Sequence, residues 1–207
     1  MPKDRKALPC KWFYRYKYTY DKTSPNYKAH LVAKGVKQEH GVDFDEIFSL
    51  VVKLTTLCML LALAANQDLE LVQMDVKTAF LHGELNEEIY MEQPEGYEVS
   101  GKEHLVCKLK KSLYGLKQSP RLWYQKFDAF MKTQGCTRSN EDPCLYMKKC
   151  SDESSIALIL YVDDVLIVGK NKGELSLLKK ILSQTFDMMD LGDLGDAKHI
   201  QRYVYYS

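Results

Sequence analysis

No apolar stretch near Met1 resembles a signal peptide, which points to a reducing cytoplasmic or nuclear setting rather than secretion. No two of the six cysteines (Cys10, Cys58, Cys107, Cys136, Cys144, Cys150) stand at CxxC spacing, so free, mostly buried thiols are expected in place of a zinc site. No charge-free apolar run approaches the ~20 residues that a membrane span needs, and no internal repeat or low-complexity segment stands out. What remains, 45% apolar and 28% charged in 207 residues, is the composition of a soluble globular protein of one or two domains. Net charge is also nearly missing, at +1, but that figure conceals segregation. Residues 1–40 hold ten Lys and Arg against three Asp and Glu, and residues 41–100 hold two against twelve. Residues 101–150 hold eleven against four, and the remainder six against nine. Such alternation suits a polyanion gripped by basic surfaces around a metal-binding centre, and solvated charged faces would give a weaker version of it.

The stretch with the most chemistry is Ile156–Gly169, IALILYVDDVLIVG. Its two apolar runs read as buried strands joined by a tight turn at the adjacent acids Asp163 and Asp164. Such turns favour Asn-Gly or Asp-Gly, and glycine is missing here. Two neighbouring carboxylates repel one another, so one pKa should rise unless a cation sits between them. Mg²⁺ suits carboxylate oxygen together with substrate phosphate. The bland alternative is a solvated acidic turn. A third carboxylate at the end of its own apolar strand favours the metal, and Asp75, near the end of Leu69–Val76, is that residue.

In chain order, residues 1–10 read as a polar, disordered tail. Trp12–Tyr20 alternates, with Trp12, Tyr14, Tyr16, Tyr18 and Tyr20 on one face and Arg15 and Lys17 on the other. After the turn-rich Asp21–Asn26, Tyr27–Lys34 alternates again with Lys28, His30 and Lys34 on one face, predicting a basic antiparallel hairpin. Aromatics interleaved with cations can stack bases and hold phosphates; an amphipathic hairpin laid on a core fits equally. A loop over 41–53 leads to a helix over 54–66 whose expected core face is Leu54, Leu57, Cys58, Leu61 and Ala65. Short strands follow near Ile89–Glu92 and Leu105–Leu109. A second helix runs from Ser119, a candidate N-cap, to about Gln134, burying Trp123, Phe127, Phe130 and Met131. Asn171 with Glu174 starts a third helix that extends through Phe186, with Leu175, Leu178, Ile181 and Leu182 inward.

The strings YKAHLVAKG, FDEIFSLVVKLTT, LVQMDVKTAFLHGELNEEIYMEQPEGY, VCKLKKSLYGLKQSPRLWYQKF and YVDDVLIVG, in this order, resemble the reverse transcriptase of copia-type LTR retrotransposons over roughly residues 10–200. The resemblance implies an α+β right-hand polymerase, fingers and palm, with an antiparallel palm sheet packed on helices and no thumb. It divides the chain into a tail (1–10), fingers (11–50), palm (51–82), fingers (83–118), palm (119–200) and a divergent tail (201–207). It implies Asp75, Asp163 and Asp164 as the catalytic triad holding two Mg²⁺ ions about 4 Å apart, with Mn²⁺ a possible substitute. The backbone of Val76 would join the metal and phosphate site. Lys28, His30, Phe80, Tyr114, Gly115 and Gln118 would bind the nucleotide, Phe80 as the gate against a 2′-hydroxyl, although a core Phe is its bland reading. Tyr161 and Val162 would support the primer terminus. The implied partners are an RNA or DNA template with its primer and deoxynucleoside triphosphates, with no membrane, in a cytoplasmic particle or the nucleus.

Departures from the family pattern bear on activity. His30 stands where the family has an Arg that clamps the triphosphate, and an imidazole lacks the permanent charge and bidentate fork of a guanidinium. Leu50 replaces a usual Pro. Met189 replaces a usual Lys, a candidate proton donor to the leaving pyrophosphate. The usual primer-gripping strand gives way to QRYVYYS, and no thumb, RNase H, integrase or protease segment is expected. The alternative function is therefore a decayed remnant that binds nucleic acid or a partner without polymerising.

Overall fold

The computed structural model describes Pro2 and residues 5–18 and 25–193. The expected turn at Asp21–Asn26, Tyr20 and the divergent tail lie outside these residues, except that Pro25 and Asn26 fall at the start of a strand. In chain order the elements are β1 (Cys10–Tyr18), β2 (Pro25–Ala33), α1 (Leu54–Gln67), β3 (Glu70–Val76), β4 (Tyr90–Met91), β5 (Cys107–Lys108) and α2 (Ser119–Thr133). Then come β6 (Thr137–Arg138), β7 (Leu145–Lys149), β8 (Ser155–Tyr161), β9 (Asp164–Gly169), α3 (Lys172–Thr185) and β10 (Met188–Asp193). They form two compact units, one of Met1–Ser49 with Phe80–Lys126, the other of Leu50–Ala79 with Phe127–Ser207. The chain is thus mixed α/β, with three helices and antiparallel sheets among the described residues.

The second unit is built on a six-stranded antiparallel sheet in the order β10-β3-β9-β8-β7-β6. Its central strands β8 and β9 are apolar at nearly every position because both faces are covered. In β3 only Val72, Met74 and Val76 are buried, alternating with half-buried Gln73 and Asp75. Helix α2 contributes Phe127 and Met131 to the core; Phe127 stacks on Phe186 at 5.9 Å and meets Tyr146 edge-on. Leu175, Leu178 and Leu182 form the buried stripe of α3, and the Asn171 side chain caps that helix by accepting from the N–H groups of Gly173 and Glu174. Each such fully buried Leu or Phe contributes about 1.5–3 kcal/mol.

The first unit has a small core of Leu8, Ala33, Ile89, Met91 and Leu116. Leu8 corrects the expectation of a disordered tail over 1–10. Its N–H donates to Tyr90 O at 2.8 Å and its carbonyl accepts from Glu92 N at 3.0 Å, which sews residue 8 onto β4. One apolar side chain in a polar tail was enough, because a two-stranded sheet needs an apolar cover. The hairpin β1–β2 forms with Trp12 opposite Leu31 and Arg15 opposite Lys28. Its aromatic face is not laid on a core: Tyr14 is 72% exposed, and Tyr16 and Tyr27 are exposed with it.

Three further expectations need correction. Helix α1 buries Thr56, Leu57, Leu60 and Ala64, whereas Leu54 is 63% exposed and Cys58 is exposed. A helix apolar on every side carries no phase signal, so periodicity chose the wrong stripe. Ser119 is the first residue of α2 and donates its hydroxyl to Leu113 O at 2.6 Å, so it anchors the preceding turn and does not cap the helix. The acidic turn is displaced by one residue: Tyr161 pairs with Asp164, so the two-residue loop is Val162-Asp163 and Asp164 opens β9.

The start of α1 lacks a capping side chain of its own. Asp142, 2% exposed, supplies one from a distant loop. Its Oδ2 accepts from Lys53 N at 2.9 Å and its Oδ1 from Cys144 N at 3.0 Å, with Thr56 as a third donor. Burial pushes the Asp142 carboxyl up, but the hydrogen bonds from Thr56, Lys53 and Cys144 outweigh it and hold the pKa below the ordinary value. Asp142→Ala should therefore cost about 2–4 kcal/mol, since it strands buried donors. A lowered folded pKa gives stability that is complete above the unfolded value and lost as pH falls through the folded one. In acid urea titrations, Asp142→Asn should accordingly show a shallower loss of stability below pH 4 than the parent chain.

Candidate active site

Asp75 ends the half-buried alternation of β3 and pairs directly with Asp164 on β9. Met189 on β10 pairs with Asp75 from the other side, and Tyr161 on β8 pairs with Asp164. Directly opposed residues of antiparallel strands share a face, so Met189, Asp75, Asp164 and Tyr161 form one row across four strands. Asp163 lies at the hairpin tip beside this row, and its carbonyl accepts from Val76 N at 2.8 Å. That bond fastens the tip to the end of β3. Val162 has a φ of +58°. A positive φ at the first loop position alone is the pattern of a type II′ turn, which normally takes Gly there, and a β-branched residue in that region is strained.

The electrostatics of the row follow from burial and crowding. Burial raises the Asp163 pKa, and the charge of Asp75 raises it further. Asp164 is raised by burial first and by Asp163 and Asp75 next, against a lowering contribution from Gln73. Gln73, two residues before Asp75 on the same face, donates its amide to Asp164 Oδ1 at 3.1 Å. The sequence reading overlooked Gln73, although a polar residue two positions from an Asp on a half-buried strand was a usable signal. Lys77 pairs with Asp187 at 3.1 Å two residues beyond the row. As the side chains stand, no three His, Cys, Asp or Glu groups among the described residues are gathered closely enough to hold a metal ion. The donor chemistry nevertheless fits a hard divalent cation: three carboxylates at one sheet end, two of them raised through burial and mutual repulsion.

In the first unit, three of the expected nucleotide residues meet. The Tyr114 ring lies 4.9 Å from Phe80 and 5.5 Å, edge-on, from His30. Lys28 is exposed two residues before His30, on the same face of β2. Gly115, at φ +90°, approaches β2 so closely that a Cβ there would lie 2.1 Å from Ala33 O. Gln118 is set apart from this group by burial: it is 2% exposed, and its side-chain amide is bonded to Gln38, Asp43 and Glu87. Its polar atoms are engaged internally.

Comparison with known proteins gives the class of the chain that carries this two-carboxylate hairpin and third Asp-bearing strand. The family model "Reverse transcriptase (RNA-dependent DNA polymerase)" matches residues 1–201, and the chain belongs to that family. More narrowly, it is a reverse transcriptase domain of the copia-type Pol polyprotein. It is 59% identical over 192 residues to the retrovirus-related Pol polyprotein from transposon TNT 1-94 of Nicotiana tabacum, covering 93% of this chain and 14% of that protein. The Pol polyprotein from transposon RE1 of Arabidopsis thaliana is 39% identical over 185 residues, covering 89% of this chain and 13% of that one. The Ty1-MR1 Gag-Pol polyprotein of Saccharomyces cerevisiae is 28% identical over 175 residues, 83% of this chain and 10% of its own length. The chain thus spans about one seventh or less of these relatives. No solved structure matches it.

The raised carboxylates make a stability prediction opposite in sign to that for Asp142. A carboxyl whose folded pKa is raised binds protons more readily folded than unfolded, so stability falls as pH rises from the ordinary value through the raised one. At pH 7 in chelator, Asp163→Asn should therefore raise Tm by roughly 2–4 °C, the shift that about 1 kcal/mol produces in a chain of this size. The gain should vanish near pH 3. A lower Tm at pH 7 would show that the tip carboxylate is stabilised as the anion.

Proposed function

We propose that this chain carries the fingers and palm of an RNA-directed DNA polymerase, and that Asp75, Asp163 and Asp164 are its catalytic carboxylates. The observation that carries this reading is the register pair Asp75–Asp164, with Asp163 bonded through its backbone to Val76. The second unit is the palm on this reading, and the first unit the fingers. Asp75, Asp163, Asp164 and the Val76 carbonyl would hold Mg²⁺, or Mn²⁺ in its place. Divalent ions bound there would supply activation of the primer hydroxyl and neutralisation of the leaving pyrophosphate.

The residues of the chain itself supply orientation and selection. Gln73 fixes one Asp164 oxygen and leaves the other available. Tyr161, next to Asp164 in the row, and Val162 at the tip support the primer terminus. Phe80 and Tyr114 form an aromatic wall; a ring beneath the sugar excludes a 2′-hydroxyl by volume, and His30 and Lys28 face the triphosphate. The basic segments 1–40 and 101–150 grip the phosphate backbone of the template and primer. A second reading, a binding remnant without catalysis, draws support from Met189: an uncharged thioether stands directly across from Asp75, so no cation flanks the carboxylate row there.

Primer extension on an RNA template with Mg²⁺, with Asp163→Asn as the blank, separates the two readings. Extension by the parent chain and none by the variant is the expected result; equal signals would end the polymerase assignment. His30→Arg should raise kcat/KM for a deoxynucleotide about 10-fold or more, since a charge-assisted hydrogen bond contributes roughly 1.5–3 kcal/mol. An unchanged value would remove His30 from the triphosphate site. Primer–template binding should weaken steeply between low and physiological salt, because each neutralised phosphate releases counterions. A flat salt response would contradict the basic grip.

A further inference from the structure

Two buried glutamines in the first unit have no part in the proposed site as described above, although the family resemblance counts Gln118 among the nucleotide residues. Gln38 and Gln118 are 5% and 2% exposed, and they bond side chain to side chain, Gln38 Nε2 donating to Gln118 Oε1 at 2.9 Å. Gln38 Oε1 accepts from Lys117 N at 2.7 Å, while Gln118 Nε2 donates to Asp43 O at 2.8 Å and is shared with Glu87. The amide pair thus ties three otherwise separate pieces of chain: the turn after β2, the 39–43 loop and the start of α2. The pair stands beside a close backbone approach. A Cβ on Gly35 would lie 2.0 Å from Gly115 O, and Ala33 N donates to Tyr114 O at 2.8 Å. The bond from Lys117 N to Gln38 spans that approach, two residues after Gly115 and three after Gly35.

We propose that Gln118 and Gln38 act together as a positioning latch, holding the Tyr114–Gly115 turn against the end of β2 so that the Tyr114 ring is fixed between His30 and Phe80. This rests on the reading of those rings as the nucleotide wall. Gln118 is then a positioning residue that acts through Tyr114 and touches no nucleotide. A buried amide with its donors and acceptors matched on every side defines one geometry, because any slip leaves a polar group unpaired at a cost. Small misplacements of a binding group can have large consequences for a reacting ligand.

The test uses Gln38→Met, Gln118→Met and the double variant, which keep side-chain bulk and remove the amides. The probe is 2-aminopurine deoxyribonucleoside triphosphate with Mg²⁺ and a dideoxy-terminated primer on an RNA template. Each single variant should weaken nucleotide binding about tenfold, and the double variant no further, because either change opens the same latch. Primer–template affinity, read by anisotropy, should be unchanged, which a general loss of folding would not allow. Binding equal to the parent in Gln118→Met, or losses that multiply in the double variant, would overturn the latch. A parent chain that binds primer–template but no nucleotide would overturn the aromatic wall, and the latch with it. If Gln118→Met fails to fold, Gln38→Met decides alone: a selective loss of nucleotide binding supports the latch, and parental binding overturns it.

Discussion

The pairing of β3 with β9 is the constraint on which the second unit depends. It brings Asp75 beside Asp164 and at the same time sends Val72, Met74 and Val76 into the core. Because side chains alternate, a slip of one residue would expose the three apolar groups and bury the acids. Burial of those three side chains, at about 1.5–3 kcal/mol each, far outweighs the repulsion between neighbouring half-buried carboxylates. The apolar face therefore sets the register, and the carboxylates must accept the place it assigns them. Their raised pKa values are the consequence.

Legibility in the sequence followed this hierarchy. Strands β3, β8 and β9 were readable because apolar runs and Asp positions reinforced one another, and α3 because Asn171 and Glu174 mark its start. Strand β10 was missed: MMDLGD has no alternation, and it pairs because β3 offers an open edge, a tertiary fact. The phase of α1 was unreadable since every face of it is apolar or neutral. Placement of the acidic loop failed by one residue because strain at Val162 runs against turn propensity, and the pairing of β8 with β9 overrides it.

For the candidate site, the residue types that carry charge or rings announced themselves, while those that only orient others did not. Gln118 stands in a motif-rich stretch, and the sequence alone gave no means of telling a ligand contact from a buried tie. Gln38 belongs to no motif read from the chain, and Gln73 lies inside one whose reading centred on Asp75. Their significance lies in partners 80 and 91 positions away, Gln118 and Asp164. Long-range amide bonds of this kind leave no periodic trace.

The contrast between Asp142 and the acidic row shows how one unit uses the same side chain in two ways. Asp142 is surrounded by N–H and O–H donors, so its anion is satisfied and its pKa falls. Asp163 and Asp164 are half-buried beside other acids; among the described residues, the one side-chain donor acting on either is Gln73, and their pKa values rise. A fully bonded carboxylate can do no more than hold α1 in place. An under-bonded one destabilises the fold at neutral pH and keeps oxygen lone pairs open to a cation. The sequence alone would have ranked these aspartates by their neighbours in the chain, yet what separates them is the number of donors that folding brings to each. By that criterion, the carboxylates suited to chemistry here are the ones the fold has left least satisfied.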